Sequence, residues 1–268
     1  MSHPGGIVPD PLRRAVEREF GPVLHIEERP GGHTPGISAA LTLTQRRVFL
    51  KAIAVCHPLS KGHQLEAGIN SVLPPGLGPR LLWSDTVDGW LALVFEHVDG
   101  RHPDLSPRSR DIPKVLEKIS MLIDVLSPSP YTGATAISDH RAYRAAPAEL
   151  LAGDTLLHCS PRPDNLIINS EVHVIDWGSS RLGAGWLVAA FMVPHFIVAG
   201  HSPRGAEVLV QSIPAFKAAP REAVTTVALI LATYWSSRID HYPPGALYEY
   251  RVRAAHAAGT WADHCDTP

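Results

Sequence analysis

The segment His158–Gly178, HCSPRPDNLIINSEVHVIDWG, is the part of the sequence that restricts the fold most. Residues 165–169 (NLIIN) and 172–176 (VHVID) are apolar, β-rich runs that only Ser170 and Glu171 separate. Two such runs with a two-residue connection are typical of a β-hairpin. The segment therefore predicts an antiparallel hairpin that begins at Asn165 and ends at Asp176.

The two-residue connection also predicts the register of this hairpin. The expected pairs are Asn169 with Val172, Ile167 with Val174, and Asn165 with Asp176. Opposed residues on antiparallel strands lie about 4.5–5.5 Å apart at Cα. An amide oxygen and a carboxylate at that separation can share one hard cation, and Mg²⁺ prefers such oxygen ligands. The alternative is a buried hairpin whose polar ends face water.

The residues on both sides of the hairpin carry a family resemblance. His158, Pro163 and Asn165 match an H-x-D-x-x-P-x-N loop in which Ser160 replaces the Asp, and residues 175–178 read IDWG. This pattern resembles the aminoglycoside phosphotransferase and choline kinase family, whose members are small-molecule relatives of the protein kinases. The resemblance implies a protein-kinase-like fold. It also implies that the first motif is a catalytic loop and that Asp176 is the DFG-type metal ligand.

The resemblance assigns roles to the residues of both motifs. Asn165 and Asp176 would bind Mg²⁺, while the loop Asp of the family accepts the proton of the substrate hydroxyl. Ser160 stands at that catalytic position, in a loop that begins at His158. A positioned general base contributes about 10²–10⁴ in rate, and an unactivated serine is too weak to replace it at neutral pH. We therefore expect severely impaired turnover with nucleotide and metal binding retained.

A second departure from the family pattern lies after the metal loop. Family members usually carry an Asp near the start of the following helix, where it supports the catalytic loop. In this chain the corresponding stretch around Val188, within GAGWLVAAFM, is apolar. Two acidic positions of the active-site region are therefore replaced together.

Two upstream residues match the phosphate clamp that the resemblance implies. Lys51 is the one charge in an apolar, strand-like run, residues 48–55 (VFLKAIAV). Such a Lys contacts nucleotide phosphates and a helix Glu in kinases, and Glu66 in the helical stretch 60–72 is the candidate partner. The alternatives are an edge-strand Lys that faces solvent and an ordinary exposed helix Glu.

Two further segments supply weaker candidates for nucleotide binding. Gly32 and Gly36 lie in RPGGHTPGIS, residues 29–38, where backbone N–H groups of a Gly-rich turn could approach phosphates; a plain turn is the alternative. Residues 91–100, LALVFEHVDG, resemble the strand and hinge of the family. In that comparison Glu96 and Val98 would present backbone groups to the adenine edge.

The composition limits which classes of binding partner and which cellular compartment are expected. The chain has 268 residues, 45% apolar and 19% charged, with a formal charge of −2. A composition of this kind predicts a sizeable core and disfavours nucleic acid or an anionic membrane as the main partner. Three cysteines without metal or redox spacing, no leading signal segment and no apolar run of membrane length predict a cytoplasmic protein.

The order of elements predicts an α+β fold with two lobes, because a run of strands is followed by a run of helices. Residues 1–96 would form an N-terminal nucleotide-binding lobe of antiparallel sheet plus helix, and 97–100 a hinge. Residues 101–268 would form a mainly helical C-terminal lobe that carries the loop and the metal hairpin. Helices are expected near 111–126, 141–152, 186–199, 203–213, 220–238 and 245–262, and a nucleotide cleft between the lobes.

Three functions remain open from the sequence. The first is a pseudokinase or severely impaired phosphotransferase that binds Mg²⁺ with ATP or another nucleoside triphosphate and acts on a partner protein. The second is an active phosphotransferase for a small-molecule or peptide hydroxyl, with a substitute base. The third is a scaffold that binds no nucleotide. The identity of the hydroxyl acceptor or partner protein has no readable motif.

Overall fold

The structure of the chain is a computed structural model that describes residues 8–29, 36–239 and 245–266, without the side chains of residues 246 and 247. Its contacts divide the chain into two compact units. The N-terminal unit comprises Met1–Asp99 together with Asp176–Gly178, and the C-terminal unit comprises Gly100–Ile175 and Ser179–Pro268.

The N-terminal unit is an antiparallel sheet with two helices. Its elements are α1 (Asp10–Phe20), β1 (Val23–Glu28), β2 (Ile37–Leu43), β3 (Arg47–Ala54), α2 (Ser60–Asn70), β4 (Leu81–Val87) and β5 (Trp90–Glu96). Within the described residues the sheet has the strand order β1-β2-β3-β5-β4, and each neighbouring pair is antiparallel.

Alternation along β3 assigns its side chains to two faces of this sheet. Val48, Leu50 and Ala52 are fully buried and belong to a core that also contains Leu12 and Val16 of α1. Side chains of a strand point alternately to opposite faces. Lys51 therefore points away from the α1 core, which is the first requirement for its contact with α2.

The C-terminal unit is mainly helical, with two short two-stranded ladders. Its helices are α3 (Asp111–Val125), α4 (Ala148–Leu151), α5 (Trp186–Val198), α6 (Pro203–Val210), α7 (Pro214–Lys217), α8 (Arg221–Ser236) and α9 (Ala246–Asp266). Its strands are β6 (Thr155–Leu157), β7 (Leu166–Ile168), β8 (Val172–Val174) and β9 (Arg181–Gly183). β6 pairs with β9 and β7 with β8, both antiparallel.

Helix α5 is the centre of this unit. Every residue from Trp186 to Phe196 is buried, as expected for a helix that is apolar on all sides. It packs against α3, α6 and α9, and α8 packs against α9. Val188 is 1% exposed and contributes to this apolar core.

The predicted α+β class, with an antiparallel sheet plus helix followed by a mainly helical part, is confirmed. The helix expected near 141–152 is shorter than predicted, because only Ala148–Leu151 is α-helical. The β6–β9 ladder was not predicted, since three-residue strands give no periodic signal. No helix in the described part of the chain is both long and apolar enough to cross a bilayer. The lobe limits 1–96, 97–100 and 101–268 stay predictions.

Candidate functional site

Three charged side chains meet in the N-terminal unit. Lys51 Nζ donates to both carboxylate oxygens of Glu66, at 2.8 and 2.9 Å, and to Oδ1 of Asp176 at 3.0 Å. The Lys51 side chain is 14% exposed and that of Glu66 is 4% exposed. The structure therefore brings Lys51 and Glu66 together and adds Asp176, a partner that sequence reasoning placed only at the metal.

Electrostatics keep Lys51 charged in this setting. Burial alone would lower the pKa of Lys51, but the carboxylates of Asp176 and Glu66 outweigh it and raise the pKa. Burial raises the pKa of Glu66, and the Lys51 charge opposes that shift. Lys51 is thus a cation presented beside the backbone of residues 176–178, which is the chemistry needed to contact an anionic phosphate.

One face of α2 fixes the segment Asp176–Gly178. Gly62 and Glu66 are four residues apart and therefore share a face of the helix. The Trp177 amide donates to Glu66 Oε1 at 3.2 Å. A Cβ on Gly62 would lie 3.2 Å from the carbonyl oxygen of Gly178, so the two backbones touch where no side chain intervenes. Asp176 has a left-handed backbone, φ +67, a conformation that Asp tolerates better than most residues.

The loop of the first motif is ordered by hydrogen bonds within the C-terminal unit. His158 is 2% exposed, and its Nε2 lies 2.9 Å from the carbonyl oxygen of Ile175. The Asn165 amide Nδ2 donates to the carbonyl oxygen of Ser160 at 2.9 Å and lies 3.4 Å from its Oγ. The loop thus presents Ser160 next to Asn165.

The predicted hairpin register is wrong by one residue. The structure pairs Leu166 with Val174 and Ile168 with Val172, so the connection has three residues. Asn169 leaves the ladder because its Oδ1 accepts from the Glu171 amide at 3.0 Å and its own amide donates to the Glu171 carbonyl. A register shift by one residue reverses the face of each side chain.

The correct register changes the residue opposite Asn165. The Ile175 amide donates to the Asn165 carbonyl at 2.9 Å, so Ile175 is the partner and Asp176 is the next residue along the chain. Asn165 and Asp176 are therefore not an opposed pair of the hairpin, as the predicted register had placed them. Joint coordination of a metal by these two residues stays a prediction.

Two neighbours of Ser160 are unsuited to replace the missing base. Asp164 accepts from Arg162 Nε at 3.0 Å, so this carboxylate oxygen is already engaged by a cation. Burial raises the pKa of the Cys159 thiol to about 12, which makes it a poor nucleophile.

The other nucleotide-binding candidates lie in the N-terminal unit. Gly36 precedes β2 with φ +148, and a Cβ there would lie 2.5 Å from the Ala52 carbonyl oxygen, so close backbone contact is one reason for this glycine. Gly32 lies outside the described residues. The Glu96 amide donates to the Arg80 carbonyl at 2.9 Å, which leaves that donor unavailable to an adenine edge. Val98 follows β5, between His97 and Asp99, which contact each other at 3.3 Å.

The sequence analysis did not identify two residues that lie near the Lys51 ion pairs or near the loop that begins at His158. His63, on α2, is affected by the charges of Lys51 and Asp176, and its position one turn before Glu66 is the signal that could have identified it. Arg181 pairs with Leu157 in the β6–β9 ladder, next to the loop that begins at His158. No sequence pattern predicts that pairing.

Comparisons with known proteins agree with this fold. No protein-family model matches the chain, and no curated protein matches its sequence. Solved structures do match. The choline kinase LicA from Streptococcus pneumoniae has a TM-score of 0.65 at 14% identity, with 92% of this chain and 97% of that chain covered.

Two further solved structures are similar. The microcompartment-associated aminopropanol kinase has a TM-score of 0.62 at 11% identity, with 94% of this chain and 95% of that chain covered. A thermostable mutant of an aminoglycoside phosphotransferase, in a ternary complex with ADP and hygromycin B, has a TM-score of 0.53 at 13% identity, with coverages of 94% and 99%. The resemblance found in the sequence is thus confirmed at the level of the fold, and the chain has the kinase-like fold of the choline kinases and aminoglycoside phosphotransferases.

Proposed function

We propose that this protein binds Mg²⁺ with ATP or another nucleoside triphosphate and is a pseudokinase or a severely impaired phosphotransferase. The observation that carries the proposal is the ion-pair set of Lys51, Glu66 and Asp176, with Lys51 14% exposed. Burying a charged amine costs free energy unless it is paired. This set supports nucleotide binding, whereas Ser160 at the position of the acidic base argues against efficient turnover.

The residues fit a Mg²⁺–nucleotide. The Asp176 side chain is 41% exposed, and the donors of Asp176 and Asn165 are carboxylate and amide oxygens, as Mg²⁺ requires. Described residues include no group of three or more His, Cys, Asp or Glu that could form an all-protein metal site. A metal held by two protein oxygens plus phosphates is consistent with that finding. When bound, the metal would neutralise charge on the phosphates, and Lys51 would contact them.

Ser160 defines what the site would lack. Its hydroxyl can orient an acceptor by a hydrogen bond but cannot take its proton at neutral pH. The Asn165 amide already contacts the Ser160 carbonyl at 2.9 Å, so the loop is ordered without the acidic residue. This order within the loop supports the proposal that the loop can still position an acceptor while the base is missing.

The test is a paired measurement on the native protein and Ser160→Asp. Calorimetry should detect Mg²⁺-dependent ATP binding in both proteins, and Lys51→Met should abolish or strongly weaken it. ATP hydrolysis should rise by about 10²-fold or more in Ser160→Asp. The control is Arg204→Gln, a substitution at an exposed position of α6, which should leave both measurements unchanged. Absence of Mg²⁺-dependent nucleotide binding to the native protein would refute the proposal.

An active phosphotransferase is the second candidate, favoured by retention of the same ion-pair set. The acceptors named for the similar structures are choline, aminopropanol and aminoglycosides, which suggests a small hydroxyl-bearing acceptor here. Because Asp164 is paired with Arg162, the substitute base would have to come from the substrate, water or a partner protein. Second-scale turnover of the native protein on a hydroxyl substrate would favour this candidate. The cytoplasmic location stays a prediction.

A further inference from the structure

The charges of four arginines of the C-terminal unit act on one imidazole, that of His140. Burial lowers the pKa of His140, and the charges of Arg181, Arg141, Arg238 and Arg144 lower it further. In the part of the chain that the structure describes, none of these four arginines forms an ion pair with a carboxylate. This arginine cluster is a local excess of positive charge in a protein whose formal charge is −2.

Backbone contacts bring the segments of the arginine cluster together. Leu182 of β9 donates its amide to the Thr135 carbonyl at 2.9 Å and forms a parallel bridge with Ala136. The chain continues from Ala136 through a short helical turn to His140. Arg181, the first residue of β9, therefore lies beside the segment that carries two of the other arginines.

Aromatic rings line the same region. The guanidinium of Arg238 lies 5.0 Å from the ring centroid of Tyr234. The His140 ring lies 6.4 Å from Tyr234 and 5.9 Å from Tyr143, centroid to centroid. The Nε of Arg238 is buried and has no hydrogen-bond partner among the described residues. A buried donor without a partner is costly, so a ligand that accepts from it would be stabilised.

The arginine cluster lies next to the loop that carries Ser160. Arg181 pairs with Leu157, the last residue of β6, and His158 follows directly. The charge and the backbone amide of Arg181 both act on the Cys159 thiol, which precedes Ser160. A molecule bound by the cluster would therefore reach the position where an acceptor hydroxyl is expected.

We propose that the arginine cluster binds the acid group, carboxylate or phosphate, of a small hydroxyl-bearing molecule. Arginine forks match both groups, because their parallel N–H donors form bidentate hydrogen bonds to paired oxygens. The same positive charge repels ammonium groups, so amine-bearing acceptors of the kinds named for the similar structures are disfavoured. Presentation of the hydroxyl at Ser160 rests on the proposed function, whereas binding of the anion does not.

The test is calorimetry of the full chain with four small probes of differing charge. Glycerol 3-phosphate and glycerate are the anions, glycerol is neutral, and ethanolamine is cationic. At least one anion should bind, and neither glycerol nor ethanolamine should. Arg181→Gln and Arg238→Gln should each weaken anion binding about 10-fold to 100-fold, since each removes a charged hydrogen bond. Arg204→Gln on α6, exposed and without an ion pair among described residues, should bind as the native protein does.

Two results would overturn the inference. One is that no anion binds the native protein, or that ethanolamine binds better than both anions. The other is that anion binding is lost in Lys51→Met but kept in Arg181→Gln and Arg238→Gln, which would assign it to the phosphate clamp. Arg144→Gln, at an exposed position, replaces Arg181→Gln if that variant does not fold. Arginine-dependent anion binding without Mg²⁺–ATP binding would refute the proposed function alone.

Discussion

The ion pair of Lys51 and Glu66 makes a quantitative prediction about stability. Removing one partner of a buried ion pair costs about 3–5 kcal/mol, because it leaves an uncompensated charge. Lys51 keeps Asp176 at 3.0 Å when Glu66 is neutralised, so Glu66→Gln should cost about 3 kcal/mol, at the low end of that range. Glutamine is the chosen replacement because its amide oxygen can still accept from the Trp177 amide.

The complementary variant, Lys51→Met, should cost about 3–5 kcal/mol, because the Glu66 carboxylate, only 4% exposed, then lacks its cation. In the double variant neither charge remains buried without a partner. We expect it to lose much less than the sum of the single variants, with a coupling free energy of at least about 2 kcal/mol. Asp176 then faces water through its 41% exposed side chain.

The assay is urea unfolding at neutral pH, followed by tryptophan fluorescence and by far-UV circular dichroism, which must give coincident transitions. The matched control is Arg13→Met with Glu17→Gln, an exposed i,i+4 pair on α1 whose coupling should lie within measurement error. Additive losses in the double variant, with a coupling below about 1 kcal/mol, would refute the buried, interdependent set described for Lys51.

Three further predictions concern single residues. Burial and the Lys51 charge lower the pKa of His63 from 6.5 to about 4. As the pH falls, the imidazole takes up a proton near pH 6.5 in the unfolded chain but only near pH 4 in the folded protein. The free energy of unfolding should therefore be highest above about pH 6.5 and should fall toward pH 4, by up to about 1.4 kcal/mol per pH unit. His63→Gln should flatten this dependence in urea titrations, and an unchanged slope would contradict it. Gly36→Ala should destabilise the protein by about 1–3 kcal/mol with or without nucleotide, because its φ of +148 and the Ala52 carbonyl leave no room for a Cβ; an unchanged melting temperature would speak against this packing. Cys159, whose pKa is raised to about 12, should react with iodoacetamide more slowly in the folded protein than the exposed Cys56, as mass spectrometry can measure, and equal rates would contradict that raised pKa.

The strongly patterned parts of the fold were predictable from the sequence. The apolar strand around Lys51 and the helix that carries Glu66 have the periods of regular structure, so both elements follow from local pattern. Their partnership was expected from the family resemblance, and the structure agrees, since Lys51 lies on the face of the strand opposite Leu50. The kinase-like fold followed from the motif residues on both sides of the hairpin.

The features that could not be predicted from the sequence depend on local polar contacts or on contacts between segments far apart in the chain. The register error arose because Asn169 has an apolar neighbourhood but a side chain that bonds the Glu171 amide, which favours a turn over a strand. The arginine cluster joins residues almost 100 positions apart, near His140 and at Arg238, and no periodicity connects them. The contact of Lys51 with Asp176 spans 125 positions and was equally invisible.

The N-terminal unit is discontinuous in sequence, because three of its residues, Asp176–Gly178, come from far down the chain. A polypeptide that stopped at Asp99 would contain every strand of the five-stranded sheet. It would lack the Trp177 amide that donates to Glu66 and the Asp176 carboxylate, one of the two carboxylates that Lys51 contacts. We therefore expect that synthesis on the ribosome must pass Gly178 before this unit can reach its native state. Expression of either half alone is, for the same reason, a poor route to a well-folded fragment.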